Sequence, residues 1–155
     1  MRTRVESHTS IWQWNREPSS LTQVCIVTDS TVAPAFEQAL STRIGNSPQV
    51  AWMRVPDPAA AHDKWLTSRE KDPAQACGPD DAIRQAIAPL PRESRLLLCS
   101  EHMPGLEWLG GVLGQQVLFA HYRPDENHET QADSVVSIVE EVLRAALTEK
   151  WGDSY

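Results

Sequence analysis

The chain has 155 residues, of which 41% are hydrophobic and 23% are charged, and this composition suits one compact domain rather than a disordered chain. Its net charge of −7 and its scattered basic residues argue against a nucleic-acid backbone as the main partner. No apolar run approaches the roughly 20 residues that span a bilayer, and the first residues lack the apolar core of a secretory signal, so we expect a cytoplasmic protein without a membrane partner.

The first 22 residues carry two tryptophans among polar residues. Trp12 and Trp14 alternate around Gln13, which is typical of a short edge strand or of an arm that lies over the domain. The two indoles either cover an edge of the core or face a partner, because tryptophan is enriched at interfaces. We therefore divide the chain into an N-terminal arm or edge segment, residues 1–22, and a single α/β domain, residues 23–151.

The stretch 23–44 begins as an apolar strand and continues as a helix. Residues 24–27 show little polar alternation, which is typical of a strand buried on both faces of a parallel sheet. Either Ser30 or Thr31 is the expected N-cap of the helix, and Pro34 fits its first turn. This strand, turn and helix form the opening unit of an α/β sheet.

Further strands and helices alternate along the rest of the chain. Strands are predicted over 49–55, 95–100 and 116–122, and helices over 59–67, 80–90, 106–113 and 130–150. Such alternation predicts parallel strands joined by right-handed crossovers. Numbering the four predicted strands in chain order, we expect a three-layer α/β sandwich with the sheet order 2-1-3-4 and helices on both faces.

The carboxyl ends of the first and third predicted strands are neighbours in this sheet, and the crevice outside them is the usual ligand site of such folds. The ligand-binding candidates there are Thr28, Asp29, Ser30, Thr31, Ser100, Glu101, His102 and His121. A triad would use Ser100 as the nucleophile, a histidine as its base and Asp29 as the orienting acid. Ser100 lacks the flanking glycines of a nucleophile elbow, so we assign no catalytic residue. The hydroxyls and helix amides of the turn TDST offer an alternative site for an anion.

No spacing in the chain matches a zinc, calcium, dinucleotide or P-loop motif, so we predict neither a metal nor a cofactor. The three cysteines have no CxxC spacing, and an odd number without an export signal is typical of reduced thiols. Cys25 and Cys99 lie in apolar runs and are interpreted as buried small hydrophobic residues. Trp12, Trp14 and Trp108 lie in short or weak elements and are the candidates for contacts with a partner.

Two short segments resemble the receiver domain of two-component response regulators. Residues 26–32 (IVTDSTV) form a predicted strand that ends at an acidic residue followed by hydroxyl-bearing residues and a helix. In residues 96–105 (LLLCSEHMPG), a Met-Pro pair begins three residues after Ser100, as it does after the phosphate-accepting aspartate of receivers. Together these segments and their spacing cover about a third of the chain.

The chain also departs from the receiver pattern. Thr28 stands where receivers have the first of two metal-binding acids, and Ser100 stands at the position of the phosphate acceptor. A fifth strand and the lysine that follows the fourth are missing from the predicted order. The resemblance therefore implies a degenerate receiver that is used for contacts rather than for phosphorylation. Unrelated parallel sheets also contain such runs.

We interpret the chain as a non-catalytic protein-binding or regulatory domain whose partner is another protein or a second copy of the chain. Two features favour this interpretation: the sequence has no complete catalytic or cofactor motif, and several tryptophans lie in elements that need covering. The alternative is a small enzyme, or a protein that binds a small ligand or an anion at the carboxyl ends of the first and third predicted strands.

Overall fold

The computed structural model describes residues 12–69, 82–101 and 105–152. The strands are β1 (Gln13–Arg16), β2 (Val24–Thr28), β3 (Val50–Arg54), β4 (Arg95–Ser100) and β5 (Val117–His121). The helices are α1 (Pro34–Ile44), α2 (Pro58–Arg69), α3 (Ala82–Ile87), α4 (Gly110–Leu113) and α5 (His128–Gly152), with a 3₁₀ turn over Glu107–Leu109 before α4. None of the described helices has both the length and the apolar content that crossing a membrane requires.

The strands form one sheet in the order β1-β3-β2-β4-β5. Strands β2 to β5 run parallel, and β1 pairs antiparallel with β3 at one edge. The sheet has five strands instead of the expected four, because residues 13–16 of the N-terminal segment join it. The expected order of the whole sheet therefore lacks this edge strand. The four parallel strands keep the predicted relative order, β3-β2-β4-β5.

Helices pack on both faces of the sheet, which confirms the α/β class. On one face α1 and α5 cover a core that includes Ile26, Phe36, Leu40, Trp52, Leu97, Val135 and Val139. On the other face α2, α3 and α4 cover a core that includes Val27, Met53, Ala61, Ile87, Leu98, Leu109 and Val112. All five residues of β2 are buried, because this central strand contributes side chains to both cores.

The start of α1 differs from the predicted cap. Ala33 is the N-cap, no side chain caps the helix, and Pro34 occupies the first turn as expected. Neither Ser30 nor Thr31 caps α1, because the Thr31 side chain and N–H both donate hydrogen bonds to Asp29 instead. The residues that were expected to begin the helix thus form a separate turn before it.

A glycine at the start of α4 lets the helix approach β5. A Cβ atom at Gly110 would lie 2.5 Å from Val117 Cγ2 and 3.0 Å from the carbonyl oxygen of Gln115. A Cβ atom at the neighbouring Gly111 would have no atom of the described residues within 4 Å. The two glycines therefore differ in packing although they adjoin in one helix.

We expect Gly110→Ala to lower the free energy of unfolding by about 1–3 kcal/mol, because the added methyl group forces the α4 backbone away from Val117. Gly111→Ala is the matched control and should be neutral or stabilising by up to about 1 kcal/mol, since alanine favours a helix over glycine. Urea denaturation of the three proteins measures both effects. Equal effects of the two substitutions would contradict this packing.

Candidate functional site

The carboxylate of Asp29 links the carboxyl ends of β2 and β4. Asp29 follows β2 directly and is only 2% exposed. Its Oδ2 accepts a hydrogen bond from Ser100 Oγ at 2.5 Å. Its Oδ1 accepts hydrogen bonds from Thr31 N at 3.0 Å and from Thr31 Oγ1 at 2.5 Å. We call these three residues the Asp29 junction; their three donors stabilise a carboxylate that would be costly to bury alone.

The Asp29 junction continues into the segment after β4 and reaches β5. The N–H of Glu101 donates to Thr31 Oγ1 at 3.1 Å. The carbonyl oxygen of Glu101 lies 3.2 Å from Nε2 of His121, whose side chain is exposed at the end of β5. Hydrogen bonds therefore connect the carboxyl ends of β2, β4 and β5.

Thr28 belongs to a second network, although it adjoins Asp29 in sequence. Its Oγ1 accepts a hydrogen bond from Trp52 Nε1 at 3.0 Å and donates one to Glu37 Oε2 at 3.3 Å. Arg54 Nε lies 3.3 Å from the same oxygen of Glu37 and forms an ion pair with it. Thr28 therefore connects β2 to β3 and α1, and the structure does not bring it into the Asp29 junction.

A cavity of about 490 Å³ opens beside the Asp29 junction. Its lining comes from the turn after β2, from the turn between β3 and α2, from the first residues of α2, and from one glycine. The lining residues are Asp29, Ser30, Thr31, Pro56, Asp57, Pro58, Ala59, His62 and Gly105. Asp57 Oδ1 accepts a hydrogen bond from Ala60 N at 3.1 Å and so caps α2. The sequence analysis missed this second wall, because it predicted only a helix over 59–67 in this segment. The signal that was available is that β3 neighbours β2, so the turn after β3 also lies at this edge.

The predicted site residues thus have four different placements. Asp29, Thr31 and Ser100 form the junction, Glu101 and His121 are bonded at its rim, Ser30 is exposed on the cavity wall, and Thr28 belongs to the second network. His102 lies outside the described residues. Ser100 donates directly to Asp29, and His121 contacts Glu101, so these contacts of the two candidates are not those of a triad's serine–histidine pair.

Stacked aromatic rings stand on the α2–α4 side of the cavity. The ring of His62 stacks on Trp108 with centroids 4.8 Å apart, and Trp65 stacks on Trp108 at 5.6 Å. Trp12, Trp14 and Trp108, the candidates for partner contacts, are half-buried and pack against the core of this face. Part of each indole is therefore used within the chain, and the role of the remaining surface in partner binding stays a prediction.

The residues that carry the receiver resemblance are brought together by the fold, since Asp29 and Ser100 share a hydrogen bond. Comparisons with protein-family models, with curated proteins and with solved structures find no match. The resemblance to receivers therefore stays a prediction. Within the described residues, no three His, Cys, Asp or Glu side chains converge as ligands for a metal ion.

Two thiols are buried in the sheet, as predicted. Desolvation by burial raises the pKa of Cys25 to about 12 and that of Cys99 to about 12, and the charges of Asp29 and Glu37 add to the effect at Cys99. Both thiols are therefore protonated at neutral pH, which makes them poor nucleophiles and poor metal ligands. The third cysteine, Cys77, lies outside the described residues.

We expect the Asp29 junction to stabilise the fold. Asp29→Ala should lower the free energy of unfolding by about 2–5 kcal/mol, because it leaves the donors of Ser100 and Thr31 buried without an acceptor. Ser100→Ala should cost about 1–3 kcal/mol, and the double variant should show a coupling energy above about 0.5 kcal/mol. Chemical denaturation of the wild type, the two single variants and the double variant measures these values. Asp57→Ala, which removes only a helix cap, is the control at about 1 kcal/mol, and an equal loss in Asp29→Ala would contradict a junction role.

The buried thiols predict loss of stability in alkali. Their pKa in the folded chain is about 12, above the ordinary value of 9.0, so the unfolded chain releases these protons first as the pH rises. The contribution of the protonated thiols to the free energy of unfolding is fully present below about pH 9. It is lost between pH 9 and pH 12, by about 1.4 kcal/mol per pH unit for each thiol. Denaturation of a Cys77→Ser variant across this range measures the slope. Adding Cys99→Ala should make the slope shallower, and an unchanged slope would contradict the assignment.

Proposed function

We propose that this chain is a non-catalytic binding domain, which acts through contacts with another protein chain and uses its receiver-like edge as a structural junction. The observation that carries the proposal is the bonding of Asp29, whose two carboxylate oxygens both accept hydrogen bonds from within the chain. In the receiver pattern the corresponding acid binds Mg²⁺, and an acceptor carboxylate is phosphorylated. Here the group at the acceptor position is a hydroxyl that donates to Asp29.

The placement of Ser100 supports a structural role for its hydroxyl. Ser100 is 1% exposed and is not among the residues that line the neighbouring cavity. Its Oγ lies 2.5 Å from Asp29 Oδ2 and donates a hydrogen bond to this carboxylate. A phosphoryl donor would have to displace this hydrogen bond before it reached the oxygen. These features favour a domain that keeps a receiver-like shape without receiver chemistry.

Half-buried aromatic residues support a function in contacts. The stack of His62, Trp65 and Trp108 and the indoles of Trp12 and Trp14 lie on the same side of the sheet as α2 and α4. Large, rigid indoles contribute much contact area at low entropic cost, which is why they anchor protein interfaces. The proposal places the domain in the cytoplasm, where thiols such as Cys25 and Cys99 stay reduced.

The test is purification of the full chain from its own cells, as wild type and as the Ser100→Ala variant. A stoichiometric partner, either another protein or a second copy, should accompany both chains equally, because Ser100 acts only within the fold. The proposal also predicts no phosphoryl transfer to either chain from acetyl phosphate and Mg²⁺, as measured by intact mass. A phosphorylated wild-type chain would contradict the proposal, as would a wild-type chain without any stoichiometric partner.

The cavity favours a second candidate, a small-ligand-binding protein. Its volume of about 490 Å³ falls within the range of roughly 300–1,000 Å³ that is typical of ligand pockets. Ser30 and Thr31 line it on one wall, and His62 and Asp57 line it on the other. This arrangement offers polar groups for orientation and an aromatic ring for stacking.

We test this candidate by thermal denaturation with inorganic phosphate and with a panel of aromatic small molecules. A ligand should raise the melting temperature in step with RT ln(1 + [L]/Kd), and His62→Ala should abolish the gain. Asp63→Ala, which changes an exposed neighbour that does not line the cavity, is the matched control and should keep it. A gain that survives His62→Ala would place the ligand elsewhere.

A further inference from the structure

The two edges of the sheet differ in how they are protected from pairing with other strands. The β1 edge is only four residues long, and exposed polar side chains occupy alternate positions along it. Its register is irregular between Trp14 and Arg16. The β5 edge has five residues, VLFAH, without a formal charge, a proline or an irregularity in its pairing. Natural sheets protect an unused edge with charges, prolines or bulges. Within the part of the chain that the structure describes, the β5 edge has none of these protections, which indicates a surface that is covered when the protein functions.

The hydrogen bonds between β4 and β5 fix which groups of β5 point outward. Leu96 N donates to Gln116 O, and Tyr122 N donates to Ser100 O. Alternate residues of a parallel strand bond to the same neighbour, so Leu118 and Ala120 bond to β4 as well. The N–H and C=O groups of the residues between them, 117, 119 and 121, point away from β4 to the outer edge of the sheet as the structure describes it.

The outward groups are arranged symmetrically about Phe119, which is also an exposed apolar side chain. Phe119 is 51% exposed, in contrast to the fully buried Phe36. Along the flank between β5 and α5, one cavity of about 290 Å³ and another of about 280 Å³ share Ile138 in their linings. The surface beside the open strand is thus a groove with apolar residues such as Ile138 along it and charged residues at its two ends.

We propose that β5 pairs antiparallel with β5 of a second copy of this chain, about a two-fold axis at Phe119. Residue 117 of one copy would face residue 121 of the other, and each Phe119 would face its equivalent. The outward N–H and C=O groups of residues 117, 119 and 121 would then all be paired between the copies, so that one sheet continues through the dimer. This inference rests on the proposed function in contacts and names the partner as the chain itself.

Charges at the ends of the groove fit this two-fold arrangement. The cavity toward the carboxyl end of β5 is lined by Arg123 and Glu126, and the cavity toward its amino end is lined by Arg95 and Glu141. The antiparallel two-fold arrangement brings the carboxyl end of β5 in one copy against the amino end of β5 in the other. Each end carries one cation and one carboxylate, and Arg123 and Glu126 already pair within one copy at 3.7 Å, so neither end brings an excess of one charge to the axis. An isologous interface brings the same surface of both copies together, so an excess of one charge at either end would oppose it.

The first test measures the mass of the full chain in solution by sedimentation. The wild type should be a dimer, and Phe119→Lys should be a monomer, because two lysines would meet at the axis. Leu21→Lys is the matched control, since Leu21 is 57% exposed but precedes β2, away from this edge, and it should stay a dimer. A monomeric wild type, or a Phe119→Lys chain that remains a dimer, would overturn the proposal.

The second test examines the symmetry. Phe119→Glu alone should also be monomeric, but a mixture of Phe119→Lys and Phe119→Glu chains should form a mixed dimer, because opposite charges then meet at the axis. In the Cys77→Ser background, Phe119→Cys should give a disulfide-linked dimer on mild oxidation. Antiparallel partners that exchange hydrogen bonds have Cα atoms about 5.5 Å apart, within disulfide range. Leu21→Cys should give none. Failure of both the mixed dimer and the disulfide in folded chains would overturn pairing at Phe119.

The outcomes separate this inference from the function on which it rests. A wild-type monomer that holds a different protein in stoichiometric amount would overturn self-pairing and leave the proposed function standing. A wild-type monomer without any partner would overturn both.

Discussion

The burial of one carboxylate constrains much of this structure. Asp29 follows the central strand of the sheet and is removed from water, so its charge requires donors in fixed positions. The donors come from the turn before α1 and from the end of β4, two segments that are far apart in sequence. The same carboxylate therefore fixes the path of the turn, the end of β4 and the spacing between them. The cavity and the stacked rings lie around an edge that this group holds together.

Two adjacent residues at the end of β2 belong to different hydrogen-bond networks. Thr28 is the last residue of β2 and shares its side chain with Trp52 and Glu37, on the face that carries α1. Asp29 lies one position further and points to the end of β4. Because successive side chains of a strand alternate in direction, one step along the chain moves from a network between sheet and helix to one between strand ends. In a receiver this pair would share one metal site; here its two members serve different contacts.

The sequence allowed the parallel part of the fold to be predicted, because continuous apolar runs and a regular alternation of strands and helices depend only on local pattern. The antiparallel pairing of β1 was harder, since an alternation around Gln13 fits an arm as well as an edge strand. The cap of α1 was predicted wrongly because the hydroxyl of Thr31 could bond either the helix or Asp29, and only the tertiary position of Ser100 and Glu101 favours the second choice. The wall of the cavity at Pro56 and His62 was missed although the predicted order already placed β3 beside β2, because the turn after β3 carries no motif that marks it as part of a site.

The pairing of β1 with β3 also determines the order in which the sheet can be completed. β1 comes first along the chain, yet Gln13 pairs with Arg54, so its partner lies beyond β2 and α1. Long-range contacts of this kind require closure of a large loop before they contribute any stability. During synthesis, β1 therefore has no strand to pair with until β3 has emerged and has joined β2. Among the described strands, β1 is thus the first to be made, yet it joins its edge of the sheet only after β3.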